Sequence, residues 1–146
     1  RTKPRRRRPG SVAFVRGERK LFGFARHVLS WRLVMQTIFP DPVAKLPEAE
    51  IPLNGVKAFI SQSETHQIVF MEFNDGTDVP EHSHASQWEI VLEGVAEVVI
   101  DGKRRLYGKG DRFFIEKDVK HSAKIHAGYA SIAFFDQKDR YGQKRK

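Results

Sequence analysis

A chain of 146 residues, 40% hydrophobic and 30% charged, can build one domain with a packed core but not two. It has no cysteine, which excludes disulfides and thiolate ligands and leaves nitrogen and oxygen donors for any metal; this composition fits a cytoplasmic protein. No apolar run of 18 residues is present, so a spanning helix is excluded, and the formal charge of +8 is uneven, with eleven Lys/Arg against Glu18 alone in residues 1–34 and fifteen against seventeen Asp/Glu in residues 35–146.

In chain order, residues 1–34 read as a basic extension outside the fold. Arg5, Arg6, Arg7 and Arg8 form a like-charge block between Pro4 and Pro9-Gly10, and such a block repels itself and stays solvated. A short amphipathic helix is predicted over 19–34, from Leu21, Phe22, Phe24, Val28, Leu29 and Trp31. Met35 is read as the natural start, with residues 1–34 a leader. The alternatives are a basic arm for nucleic acid or a membrane surface, or a targeting segment, although no clean apolar stretch supports the last. The domain is expected over 35–138, followed by a polar, solvated tail over 139–146.

From residue 56 on, short β-rich runs alternate with turn residues: 56–61, 65–73, 87–93, 95–101, 103–108, 111–116, 119–126 and 129–136. Their period-2 alternation predicts strands. The breaks fall at Asn74-Asp75-Gly76, Gly94, Asp101-Gly102, Gly108-Lys109-Gly110 and Ala127-Gly128. Asp101-Gly102 predicts a two-residue type I′ hairpin turn, which needs positive φ at both centres. Evenly spaced short strands without helical periodicity predict an all-β sandwich or barrel. Tyr129 and Arg112 are expected to face solvent. Phe70, Phe73, Phe113, Phe114, Phe134 and Phe135 are expected mostly in the core.

The chemistry concentrates in histidines. His82 and His84 are two residues apart, so on an extended segment they point the same way, about 6–7 Å apart. Two imidazoles so placed can converge on one metal at about 2.0–2.2 Å. A third ligand has to come from a neighbouring strand, and His121 is the leading candidate. His66 and His126 are expected to serve as wall or surface residues, and Glu81 points away from the pair.

Gly76, five residues, then His82-Ser83-His84 resembles the first sequence motif of the cupins, and Gln87-Trp88-Glu89-Ile90-Val91-Leu92-Glu93-Gly94 resembles its continuation. Gly110 to His121 resembles the second motif, with Glu116-Lys117-Asp118 in place of the usual Pro-x-Gly turn and Ile125 where an Asn is common. The resemblance covers roughly residues 52–136. It implies a double-stranded β-helix, or jelly-roll barrel. It also implies one divalent ion (Fe, Mn, Zn or Ni) on His82, His84 and His121 with a fourth ligand from Gln87 or Glu89. Counting back from Gly94 favours Gln87, and Glu89 then becomes the candidate catalytic acid/base. A homodimer pairing through residues 56–61 is implied as well.

Two functions are expected from this site. One is a metal-dependent enzyme of dioxygenase, isomerase or lyase type on a small polar or anionic substrate. The other is a non-catalytic small-molecule-binding or sensing module. No membrane partner is expected, and the near-neutral domain argues against a nucleic-acid regulator.

Overall fold

The structure, a computed structural model, describes residues 37–145. The basic extension, its predicted helix and the Met35 start lie outside the described residues. One helical turn, α1 (Asp41–Ala44), follows Pro40, whose ring pre-sets the entry backbone. The strands are β1 (Ala49–Glu50), β2 (Val56–Gln62), β3 (Gln67–Phe73), β4 (Thr77–His82), β5 (Gln87–Glu93) and β6 (Val95–Ile100). Then come β7 (Lys103–Gly108), β8 (Arg112–Ile115), β9 (His121–Ile125), β10 (Tyr129–Phe135) and β11 (Gly142–Gln143). Each of the eight predicted strands is present: β5 and β7 have the predicted bounds, β2 is one residue longer, and the others are one to three residues shorter. β4 was not predicted as a strand beyond the His pair, and β1, β11 and α1 carry no periodicity long enough to read.

Two antiparallel sheets face each other. One runs β2-β3-β10-β5-β8 and the other β4-β9-β6-β7, with β1-β11 as a separate two-stranded clip. This is the jelly-roll barrel, an all-β fold. Alternation decides which side chains enter it. Gln87, Glu89 and Val91 of β5 are buried while Trp88 lies outside, and Tyr129, Ser131, Ala133 and Phe135 of β10 point inward. Val69, Met71 and Phe73 of β3 meet Ala96 and Val98 of β6 and Ile125 of β9 across the interior. Each fully buried large apolar side chain contributes roughly 1.5–3 kcal/mol.

The turns follow the sequence chemistry. Asp101 (φ 49) and Gly102 (φ 72) both have positive φ, as the predicted type I′ hairpin between β6 and β7 requires. Gly94 (φ 72) alone joins β5 to β6, and a Cβ there would stand 2.7 Å from the Tyr129 Cα.

Three expectations need correction. Tyr129 does not face solvent; it is almost fully buried, because it shares the strand parity of Ser131, Ala133 and Phe135. Phe114 is not core: it is 56% exposed on the outer face of the five-stranded sheet. Residues 139–145, expected as a free polar tail, are instead tied to the barrel, although Gly142 to Arg145 are exposed. They cross the barrel end as a strap, held where the Gln67 Nε2 donates to the Tyr141 carbonyl (2.9 Å) and the Tyr141 N–H donates to Gln67 Oε1 (3.0 Å). Gln62 Nε2 donates to the Lys138 carbonyl, and Lys144 N–H to the Glu48 carbonyl, extending the β1–β11 pairing. A polar sequence hid this because the strap is fixed through its backbone rather than by an apolar face.

Candidate metal centre

Three histidines converge at one end of the barrel. β4 is the edge of its sheet, so Pro80 is tolerated there. The β4–β9 pairing shifts register between Val79 and His82, and this irregularity sets His82 directly opposite His121, the first residue of β9. His84 lies just past β4, and its carbonyl accepts from the Asp118 N–H at 2.8 Å. Asp118 has φ 62; a short polar side chain tolerates this left-handed backbone. Glu116-Lys117-Asp118 therefore makes the turn that Pro-x-Gly usually makes, and ties the second motif to the first.

The ring nitrogens of His82, His84 and His121 that face one another all lie within 4.8 Å. Each Nδ1 sits at a backbone carbonyl: His82 at Pro80 (2.8 Å), His84 at Ala85 (2.7 Å) and His121 at Val119 (2.8 Å). A carbonyl can only accept, so each Nδ1 donates and each Nε2 presents a lone pair. The Nε2 atoms of His84 and His121 are 3.0 Å apart. Two lone pairs at that distance repel unless a cation lies between them. Two nitrogens about 2.1 Å from one ion and at right angles would be about 3.0 Å apart. The donor set thus fits a divalent metal. Burial pulls the His84 pKa down to about 4, helped by the charge of Arg140, and burial lowers that of His121 as well. Both rings are neutral at pH 7 and offer lone pairs without proton competition.

Gln87 and Glu89 stand deeper on β5, 8% and 5% exposed. The Gln87 Nε2 donates to Glu89 Oε2 at 2.5 Å, and the Tyr129 hydroxyl donates to Glu89 Oε1 at 2.8 Å. Burial raises the Glu89 pKa, opposed by these hydrogen bonds; the same burial, with the adjacent carboxylate, raises that of Tyr129. The buried Ser131 hydroxyl lies beside the pair without a well-formed hydrogen bond. Gln87 Oε1 has no hydrogen-bond partner among the described residues.

These groups line one pocket with a cavity volume of about 80 Å³. Its walls are mainly apolar, from β3, β6, β8 and β9. Of the other residues weighed from sequence, His66 stacks on Phe134, and His126 and Arg112 are exposed. Glu81 is exposed with Lys120 at 3.7 Å. Sequence reasoning missed Tyr129, Arg140 and Tyr141 as pocket residues. Arg140 and Tyr141 follow the last long strand, and nothing in the sequence marks that segment as folding back.

An inward-facing histidine triad at the end of a jelly-roll barrel is a group of donors that could hold a metal. Residues 69–133 match the family model of the cupin domain, and the barrel has the cupin fold. The chain is 27% identical to an RmlC-like cupin from Shewanella frigidimarina, with a TM-score of 0.59, covering 72% of this chain and 94% of that one. KdgF from Halomonas sp. is similar in fold, at 22% identity, TM-score 0.54 and coverage of 62% and 87%. So is salicylate 1,2-dioxygenase from Pseudaminobacter salicylatoxidans, at 23% identity and TM-score 0.50; the match covers 56% of this chain and 26% of that one. No curated protein matches the chain. No helix among the described residues is long and apolar enough to cross a membrane.

Proposed function

We propose that this cupin holds one divalent ion (Fe, Mn, Zn or Ni) on His82, His84, Gln87 and His121 and is an enzyme of dioxygenase, isomerase or lyase type. Its substrate is a small polar or anionic molecule. The observation that carries the reading is the convergence of three imidazoles whose Nδ1–H groups are all committed to backbone carbonyls. Gln87 completes the set because Glu89 holds its amide N–H₂, turning Oε1 away as a free acceptor; such outer partners commonly set ligand orientation. The bound ion supplies Lewis acidity at a substrate oxygen.

The chain's own groups account for the rest. The apolar walls exclude water and strengthen every charge interaction inside. Glu89 is the candidate general acid/base. Burial raises its pKa, which makes its carboxylate a stronger proton acceptor than an exposed one. Tyr129 keeps that carboxyl pointed along β5 through Oε1. The fold relatives include a dioxygenase by name, which is compatible with this reading at the level of fold alone.

A non-catalytic binding module is the second reading. It is favoured by one observation: both Glu89 oxygens already accept hydrogen bonds, so proton transfer would require one to break. A cytoplasmic location and a homodimer belong to the proposal too. β2 and β8 are sheet edges, and exposed edges invite pairing. A bridge from Glu48 to Phe59 covers part of the β2 edge, while Phe114 and Trp88 stay exposed on the sheet ending at β8. Elemental analysis of protein purified without chelator or nickel resin tests the metal; about one ion per chain is expected. No metal after soaking with each ion in turn rejects the reading. Light scattering tests the dimer, and a monomer rejects it.

A further inference from the structure

Arg140 is an arginine without an anion. Its guanidinium carbon lies 4.6 Å from the Tyr141 ring centroid and 5.7 Å from that of Phe135, and Phe135 in turn packs edge-on against His84 at 5.5 Å. The side chain lines the same pocket as the histidines, and its charge is felt at His84 and His121. Its Nε is buried with no hydrogen-bond partner, and no ion pair to it is present among the described residues. Among the described residues the only acid lining the pocket is Glu89, whose two oxygens are already occupied by Gln87 and Tyr129.

The position of Arg140 is built rather than incidental. The next residue, Tyr141, is gripped through both backbone groups by the amide of Gln67, which is buried in β3. Gln62 grips the Lys138 carbonyl two residues before it. Stacking on two aromatic faces then fixes the plane of the guanidinium. A planar fork held this way is pre-organised for a carboxylate, and burying an unpaired donor is costly unless a ligand satisfies it. With a divalent ion on neutral histidines and Gln87, the pocket carries an excess of positive charge even when Glu89 is counted as ionised.

We infer that Arg140 is the anion anchor of the pocket and that the natural ligand is a small carboxylic acid: its carboxylate pairs with the guanidinium, and its apolar body packs against the barrel wall. The inference rests on the metal reading only for what meets the ligand's other end. It makes the strap segment a specificity element, supplied by residues outside both sequence motifs.

The test uses the full chain and titrates butanoate, hexanoate, the neutral analogue butanamide and inorganic phosphate by calorimetry. Wild type, Arg140→Gln and Arg140→Lys are compared, each with metal content measured separately. Wild type is expected to bind hexanoate more tightly than butanoate and to bind butanamide at least about tenfold more weakly than butanoate. Arg140→Gln is expected to lose a similar factor for both acids with unchanged metal stoichiometry. Arg140→Lys is expected to recover part of the loss, since it keeps the charge and loses the fork. Equal carboxylate affinity in wild type and Arg140→Gln overturns the inference while leaving the metal reading intact. Phosphate binding tighter than either acid overturns the carboxylate assignment. If no metal is found but Arg140→Gln still abolishes acid binding, the metal reading falls and the anchor stands.

Discussion

The Nε2 of His84 stands 3.0 Å from the Nε2 of His121, and neither nitrogen has a proton to give the other while both Nδ1–H groups donate to carbonyls. Their lone pairs repel unless a cation lies between them. His82→Ala and His121→Ala are therefore expected to cut metal content sharply, because the two remaining imidazoles cannot close the site. Inductively coupled plasma mass spectrometry on the purified variants checks this; unchanged stoichiometry in both would reject the ligand assignment. Saturating metal is expected to raise the melting temperature, by about 2.7 kcal/mol of stabilisation when free ion is a hundredfold above its Kd.

The metal-free protein should respond to pH through the same rings. Folding lowers the His84 pKa from 6.5 to about 4, and His121 shifts in the same direction. Between those values the unfolded chain binds more protons than the folded one, so stability rises with pH across that window and levels off above about 6.5. The sign follows because both rings must be neutral to stay buried. Urea unfolding of chelator-treated protein from pH 4 to 7.5 measures the slope. His84→Gln is expected to flatten it; an equal slope in the variant would mean that other groups control it.

Gln87 and Glu89 make separable contributions. In the proposed ligand set, Gln87→Ala removes the fourth donor, whereas Glu89→Ala removes the group proposed to aim it. Loss of such an outer partner typically costs 10–100-fold in metal affinity, so both variants are expected to bind metal more weakly. Competition with a fluorescent chelator reads the affinity. A Glu89→Ala protein that binds metal as tightly as wild type would show that Gln87 needs no orientation, or is no ligand.

Gly94 is predicted to be intolerant. Its positive φ is strained for any L side chain, and a Cβ would meet the Tyr129 backbone at 2.7 Å. Gly94→Ala is expected to destabilise by more than about 1 kcal/mol. Because it pushes on Tyr129, it is also expected to loosen the hydrogen bond to Glu89. Gly102→Ala, with nothing within 4 Å of its Cβ, isolates the backbone term. Equal melting temperatures for the two variants would show that the clash is relieved at no cost.

Most of the barrel was legible because period-2 alternation and punctuation by Gly and Asp report locally on burial and backbone sign. Asp101-Gly102 illustrates this: both residues announce positive φ and both have it. The histidines were legible because spacing on an extended chain fixes direction. Tyr129 follows the same alternation, in parity with Ser131, Ala133 and Phe135, and the solvent expectation failed by setting that parity aside. Asp118 replaced a glycine at a left-handed position, and the departure from Pro-x-Gly therefore left the turn intact. Arg140 was invisible for a different reason. Its place depends on Gln67, 73 residues earlier, offering an amide edge that mimics a strand.

That last arrangement changes what a shortened version of this protein would be. A fragment ending at Phe135 would not be the same barrel minus a frayed end. Gln67 would face the interior with its amide oxygen unmatched and its Nε2 left with Gln62 alone, the ring of Phe135 would lose its cover, and water would reach His84 from the open side. Rehydrated, that imidazole would titrate closer to its ordinary range, and protons would compete for the site at mildly acidic pH. Residues 136–145 thus decide the working acidity of a centre to which they contribute no ligand.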